Sequence, residues 1–216
     1  MRKLMAGVVA GLMIAASVLA AEPVELAAIW NPSGQPPDGC SSGLTGRGVA
    51  PKWTMLEVDD EGGRGVAETS ADATDDRFPL CIVDGPAYGN LENVDVTVRF
   101  RPVAGKVDRA GGIAVRVKDE RNYYVVRANA LEDNVRLYSV VDGDRQLFAG
   151  RNIKVESGKW HTLGLKAVGD RFVVSYDGVE IFGGVDRRIA GPGRVALWSK
   201  ADSVTEFVDL RIERLP

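Results

Sequence analysis

Asn122-Tyr123-Tyr124-Val125-Val126-Arg127-Ala128-Asn129-Ala130-Leu131-Glu132-Asp133-Asn134-Val135-Arg136-Leu137-Tyr138 is the stretch on which the reading of the chain turns. Tyr124, Val126 and Ala128 alternate with Tyr123, Arg127 and Asn129, and Val135 and Leu137 alternate with Asn134, Arg136 and Tyr138. A period of two sends successive side chains to opposite faces of a strand, whereas a helix repeats its apolar residues every three to four positions. Two strands are therefore predicted, over 122–128 and 135–141, with a loop over 130–134 between them. The same alternation recurs over 94–100, 112–118, 161–167, 171–176, 194–198 and 205–212. Asp142-Gly143, Gly169-Asp170 and Asp177-Gly178 fall between these runs, and such pairs accept the backbone of tight hairpin reversals. Many strands with short connections predict a two-sheet sandwich or a closed barrel.

Working outward, Arg2 and Lys3 precede an uncharged apolar run over 4–19 that ends in small residues. That is the layout of a secretory signal peptide over 1–20, with Val18 and Ala20 as the small residues before cleavage between Ala20 and Ala21. The run is shorter than the roughly 20 apolar residues a membrane span needs, so no membrane anchor is expected in the mature form. Export to the periplasm or the exterior follows. Without Arg2 and Lys3, the 27 basic residues fall to 25 against 30 acidic ones. A mildly acidic chain without a basic tail lacks the concentrated positive charge that phosphate backbones require, so nucleic acid is set aside as a partner.

Cys40 and Cys81 both lie in the exported part, where thiols oxidise. One disulfide is the expected reading, worth about 3 to 4 kcal/mol by loop closure. The alternatives are two buried thiols or a metal pair, but no histidine stands near enough in sequence to complete a zinc pattern. The bond would hold the loop Asn31-Pro32-Ser33-Gly34-Gln35-Pro36-Pro37-Asp38-Gly39, whose composition cannot order itself.

The segment 122–138 also resembles the core signature of the 3-keto-disaccharide hydrolase-like domain family. Further pieces stand in the same order: Ala110-Gly111-Gly112-Ile113-Ala114-Val115-Arg116, Asp142-Gly143-Asp144-Arg145, Trp160-His161-Thr162-Leu163, and the run from Gly193-Arg194-Val195 through Trp198-Ser199-Lys200-Ala201-Asp202 to Thr205. The resemblance implies an all-β, concanavalin A-like jelly-roll sandwich of two curved antiparallel sheets, similar to laminin G-like domains, over 53–216. Residues 21–52 would supply an N-terminal strand and the Pro/Gly-rich loop. The resemblance also implies carbohydrate as the partner, either bound or cleaved at a glycosidic bond. One departure is visible: Val208 stands where the family usually has the first Asp of a Phe-Asp-Asp-Leu run.

Strand alternation assigns the polar face. With Val96, Val98 and Phe100 in the core, Arg99 points outward; with Ile113, Val115 and Val117 in the core, so does Arg116. Arg127, Asn129, Arg136 and Tyr138 follow on the next two strands; with these strands as neighbours in one sheet, Arg99, Arg116, Arg127 and Arg136 form a band on one face, and core-facing Val195 and Leu197 likewise place Trp198 and Lys200 outward. Guanidinium forks and amides suit sugar hydroxyls or carboxylates, and an exposed aromatic ring can stack on a pyranose, which makes these eight the candidate binding residues. The alternative is a solvated network in which the arginines pair with Asp119, Glu132, Asp133 and Asp202.

For cleavage, Glu132 and Asp133 in the loop beside the arginines, together with Asp202, are the candidate catalytic carboxylates. Glu57-Val58-Asp59-Asp60-Glu61 has the acid-x-acid spacing of a glycosidase strand but reads as a polar strand end, since Gly62-Gly63 follow at once. His161 is the one histidine, and its alternation with Leu163 and Leu165 makes it a packed residue. The acidic groups at 59–61 and at Asp72, Asp75 and Asp76 lack a calcium-loop spacing and read as solvated turns. No nucleophile elbow, phosphate loop or dinucleotide fingerprint is present, and neither a cofactor nor a metal is expected.

Overall fold

The computed structural model describes residues 24–25, 34, 36–58 and 63–216; the signal-peptide expectation over 1–20 and the acidic residues at 59–61 lie outside them. In chain order the strands are β1 (Val24–Glu25), β2 (Cys40–Gly46), β3 (Trp53–Val58), β4 (Gly63–Glu68), β5 (Arg77–Val83), β6 (Val94–Ala104), β7 (Ala110–Asp119) and β8 (Asn122–Asn129). They continue as β9 (Asn134–Val141), β10 (Asp144–Asn152), β11 (His161–Val168), β12 (Arg171–Tyr176), β13 (Val179–Val185), β14 (Arg194–Ser199) and β15 (Val204–Arg214). There is no helix among the described residues.

Two antiparallel sheets result. Sheet A runs β13-β12-β11-β6-β15-β4-β3, with β1 also paired to β15, and sheet B runs β10-β9-β8-β7-β14-β5-β2. Of the sandwich and the barrel that the alternation leaves open, the sandwich forms, as the resemblance implies. Two of the hairpin turns show why they were legible: Asp142 and Gly143 have φ of 52° and 84°, and Asp177 and Gly178 have φ of 48° and 78°. Two successive positive φ values make the tight turn whose twist matches the strands on either side.

The main core lies between the sheets. Val96, Val98, Phe100, Leu163, Leu165 and Phe207 of sheet A meet Ile113, Val115, Tyr124, Val126, Val135, Leu137, Val195 and Leu197 of sheet B. Cys40 and Cys81 are joined in a disulfide across β2 and β5, with Cα atoms 5.4 Å apart, so the edge strand of sheet B is fastened to its neighbour.

A second apolar cluster covers the other face of sheet B. It takes Phe78, Leu80 and Ile82 from β5, Ala196 and Trp198 from β14, Ala110, Ala114 and Val117 from β7, Tyr123 and Val125 from β8, and Tyr138 and Val140 from β9. The central strands of sheet B are thus buried on both faces, which accounts for the unbroken run Tyr123-Tyr124-Val125-Val126 inside an otherwise alternating strand.

One register expectation and one sheet placement are overturned. Arg116 does not point outward. Its φ is 52°, and Arg194 to Ala196 of β14 face Ala114 to Val117 of β7, so β7 carries an extra residue at this point. The bulge shifts Val117 to the outer cluster and turns Arg116 into the protein, where it is 4% exposed and donates to the carbonyls of Glu92, Ile189 and Gly169. Gly193 lies against it; a Cβ there would stand 2.4 Å from the carbonyl carbon of Arg116. Arg99 does point away from the core but belongs to sheet A, where it pairs with Asp209 at 3.3 Å and lies over the Trp160 ring. It therefore sits on the opposite side of the sandwich from the other candidates.

Candidate functional site

Arg127 and Arg136 are direct cross-strand partners on the outer face of sheet B. Arg127 is the centre of a polar group at the end of that face where β8 turns into β9. Its Nη2 donates to Glu132 Oε2 at 2.7 Å and to the Tyr138 hydroxyl at 3.2 Å, and its Nη1 donates to Asn134 Oδ1 at 3.0 Å. Asn134 Nδ2 returns a bond to Glu132 at 3.0 Å, so the four side chains hold one another. Burial pushes the Glu132 carboxyl up, but the bonds from Asn134 and Arg127 and the Arg127 charge outweigh it and leave the group below its ordinary range.

A second cluster adjoins it. Asn129 donates to Asp108 Oδ1 at 2.6 Å, and its own Oδ1 accepts from the backbone of Leu131 at 2.9 Å, which shapes the turn that presents Glu132. Lys200 lies 2.7 Å from both Asp108 and Asp75. Burial opposes the lysine's charge, but the two carboxylates prevail and raise its pKa. Asp202 accepts from the backbone N–H groups of Lys106, Val107 and Asp108 at 2.7 to 3.0 Å, and so fixes the loop that carries Asp108.

The structure thus brings Arg127, Asn129, Glu132, Arg136, Tyr138 and Lys200 to one face. Arg136 is tied sideways, to Asn152 Oδ1 at 2.5 Å and to the Val135 carbonyl. Asp133 turns away, with φ of 48°, to Lys154 at 2.9 Å and the Val155 N–H at 3.1 Å, and these bonds lower its pKa. Trp198 is on the face but is no exposed platform: it is 0% exposed, stacked on Phe78 at 5.6 Å, with its indole N–H directed to the Tyr123 hydroxyl at 3.3 Å. The expectation that alternation leaves it to solvent fails because this face of sheet B is covered by a core of its own.

Arg145, at the start of β10, was not among the sequence candidates. It projects from the edge strand over the same face, its guanidinium 4.5 Å from the centre of the Tyr138 ring, 4.6 Å from Phe78 and 5.9 Å from Trp198. In the sequence Arg145 stands only within Asp142-Gly143-Asp144-Arg145, one of the pieces that carry the family resemblance.

His161 is packed as expected, 8% exposed, between Asp177 Oδ2 at 3.0 Å and the Glu156 carbonyl at 3.2 Å. Asp72 accepts from the Val49 and Thr74 backbone and Asp76 pairs with Arg47 at 2.8 Å, so these carboxylates and Asp75 each have a partner within the chain. Among the described residues no group of three or more His, Cys, Asp or Glu side chains could hold a metal ion.

No family model matches the chain, and no curated protein matches it. Solved structures do. The carbohydrate-binding module CBM66 of Bacillus subtilis has a TM-score of 0.63 at 18% identity, over 82% of this chain and 97% of its own. A Bacillus subtilis protein of unknown function with a galectin-like fold has a TM-score of 0.53 at 10% identity, over 81% of this chain and 89% of its own. A functionally unknown protein of Saccharomyces cerevisiae has a TM-score of 0.53 at 10% identity, over 77% and 97%. At these identities the likeness is one of fold: the chain is similar to galectin-like and carbohydrate-binding-module sandwiches, and none of the comparisons carries the finer resemblance to 3-keto-disaccharide hydrolase-like domains.

Proposed function

We propose that the protein is an exported carbohydrate-binding sandwich that holds an oligosaccharide at the polar end of the outer face of sheet B. The observation that carries this reading is the mutually braced set Arg127, Glu132, Asn134 and Tyr138. A sugar is recognised by donors and acceptors whose directions are fixed before it arrives, and this set offers an amide, a carboxylate, a phenol and a guanidinium without having to order them first. The similarity of fold to a carbohydrate-binding module supports the reading. The Cys40–Cys81 disulfide supports export, since such bonds persist in oxidising compartments.

Binding is favoured over cleavage by the state of the carboxyls. A glycosidase needs one carboxylic acid that is still protonated at working pH. Glu132, Asp133 and Asp202 are all held below their ordinary range: Glu132 and Asp202 are pushed up by burial but pulled down further by their hydrogen bonds, and Asp133 is lowered by Lys154 and the Val155 N–H. Each of the three is held toward its ionised form, the opposite of what an acid that protonates a leaving group requires.

A glycan array followed by titration of the hits tests the proposal. Tyr138→Phe removes one hydroxyl from the site and leaves the ring that packs on the face, so affinity for the hit should fall about five- to tenfold while the melting temperature stays near wild type. An array without hits, or a hit whose affinity is untouched by Tyr138→Phe and by Asn134→Ala alike, would count against the site. Release of monosaccharide from plain or 3-keto disaccharides would restore the hydrolase reading.

A further inference from the structure

Arg145 stands apart from the arginines around it. Arg127 has Glu132, Asn134 and Tyr138, and Arg136 has Asn152, but no described residue gives the Arg145 side chain a salt bridge or a hydrogen bond, and the Asp108 carboxylate acts on it only through its field. Its guanidinium packs on aromatic faces, and its Nη1 is buried without a partner. Arg127 is 4% exposed, and its Nε is likewise buried and unpartnered. Both guanidinium groups lie over the same ring, 4.5 Å and 5.8 Å from the centre of Tyr138. The nearby carboxylates are taken: Glu132 by Arg127 and Asn134, Asp108 by Lys200 and Asn129, and Asp75 by Lys200.

A buried N–H without an acceptor is costly, and a guanidinium without a counter-anion more so. The unpartnered Nη1 of Arg145 and Nε of Arg127, on two guanidinium groups over one tyrosine ring, make a receptor for an oxyanion, whose two or more oxygens can accept from both at once. We infer that the ligand of this face is an acidic sugar whose carboxylate or sulfate lies between Arg145 and Arg127, an inference that rests on the carbohydrate-binding reading above. Burial and the neighbouring Arg127 charge disfavour the Arg145 cation in the free protein, and Tyr138, Tyr123 and the Asp108 carboxylate offset them only in part, so an arriving anion relieves an existing penalty. Carboxylate and sulfate share the chemistry recognised here, and matched ligands tell them apart.

The test is an array of neutral, uronate-containing and sulfated oligosaccharides in which each acidic glycan is paired with its methyl-esterified or desulfated counterpart. Acidic members should bind, with matched neutral forms at least tenfold weaker. Uronate hits without sulfated ones, or the reverse, identify the oxyanion. Arg145→Met keeps an unbranched apolar stem over the Phe78 and Tyr138 rings and should abolish the discrimination between acid and ester while the melting temperature holds. If Arg145→Met does not fold, Arg145→Lys keeps the charge without the fork and should weaken the acidic hits at least fivefold. Acid and ester bound equally well, or an affinity unchanged in the folded Arg145 variant, would overturn the inference and leave carbohydrate binding standing. An array with no hit in any class would overturn both.

Discussion

Trp198 has no solvent to reach: its indole is fully buried on the outer face of sheet B, stacked on Phe78 and bonded to the Tyr123 hydroxyl. Trp198→Ala should therefore cost about 3 to 5 kcal/mol of stability, read as a shift in the urea midpoint, with the residual binding of the folded fraction unchanged. A stable variant that no longer binds would reverse this and make the ring a ligand contact. Glu132 has the opposite character, a half-exposed carboxylate doing electrostatic work. A carboxyl held below its unfolded value contributes stability above the unfolded pKa and loses that contribution as pH falls through the folded pKa. Between about pH 5 and about pH 3, wild type should therefore lose more stability than Glu132→Gln, whose amide has nothing to protonate. Parallel denaturation series at the two pH values decide it, and equal losses would mean that the Arg127 pair contributes nothing.

The strands themselves were open to reading because period-two alternation is a one-dimensional signal. Predicted runs at 122–128, 135–141, 161–167 and 171–176 coincide with β8, β9, β11 and β12 to within a residue or two. What alternation could not convey was the environment of the second face. Val125, Tyr123 and Trp198 are buried there by residues from β5 and β7, a fact that depends on which strands become neighbours. Arg99 failed for the same reason, since its direction was right but its sheet was not. Arg116 failed because nothing in Val115-Arg116-Val117 announces that an arginine will take a positive φ and add a residue to β7. That bulge is held by the side chain it redirects, through three backbone carbonyls. Arg116→Ala leaves those carbonyls short of a donor and should cost about 3 kcal/mol in a denaturant titration. A cost near zero would show that water replaces the guanidinium.

At the level of the molecule, the disulfide closes a separation of 41 residues and ties β2 to the rest of sheet B. Loop closure of that length is worth about 4 kcal/mol, so the reduced protein should melt well below the oxidised one. Alkylation without reductant, followed by mass spectrometry, should find neither Cys40 nor Cys81 modified; two labelled cysteines would mean that the bond does not form. The two-sided burial of sheet B carries one more consequence, in how the molecule breathes. Opening β7, β8 or β14 must disrupt both apolar clusters together, whereas β10 and β13 are sheet edges with largely exposed side chains. In deuterium exchange the amides of β7, β8 and β14 should open only with global unfolding, and those of β10 should exchange through local fraying at far smaller free energy. Arg145 is carried by that edge strand while Arg127 sits in β8, so the two halves of the proposed anion receptor should differ in mobility, with one jaw fixed and the other able to swing clear.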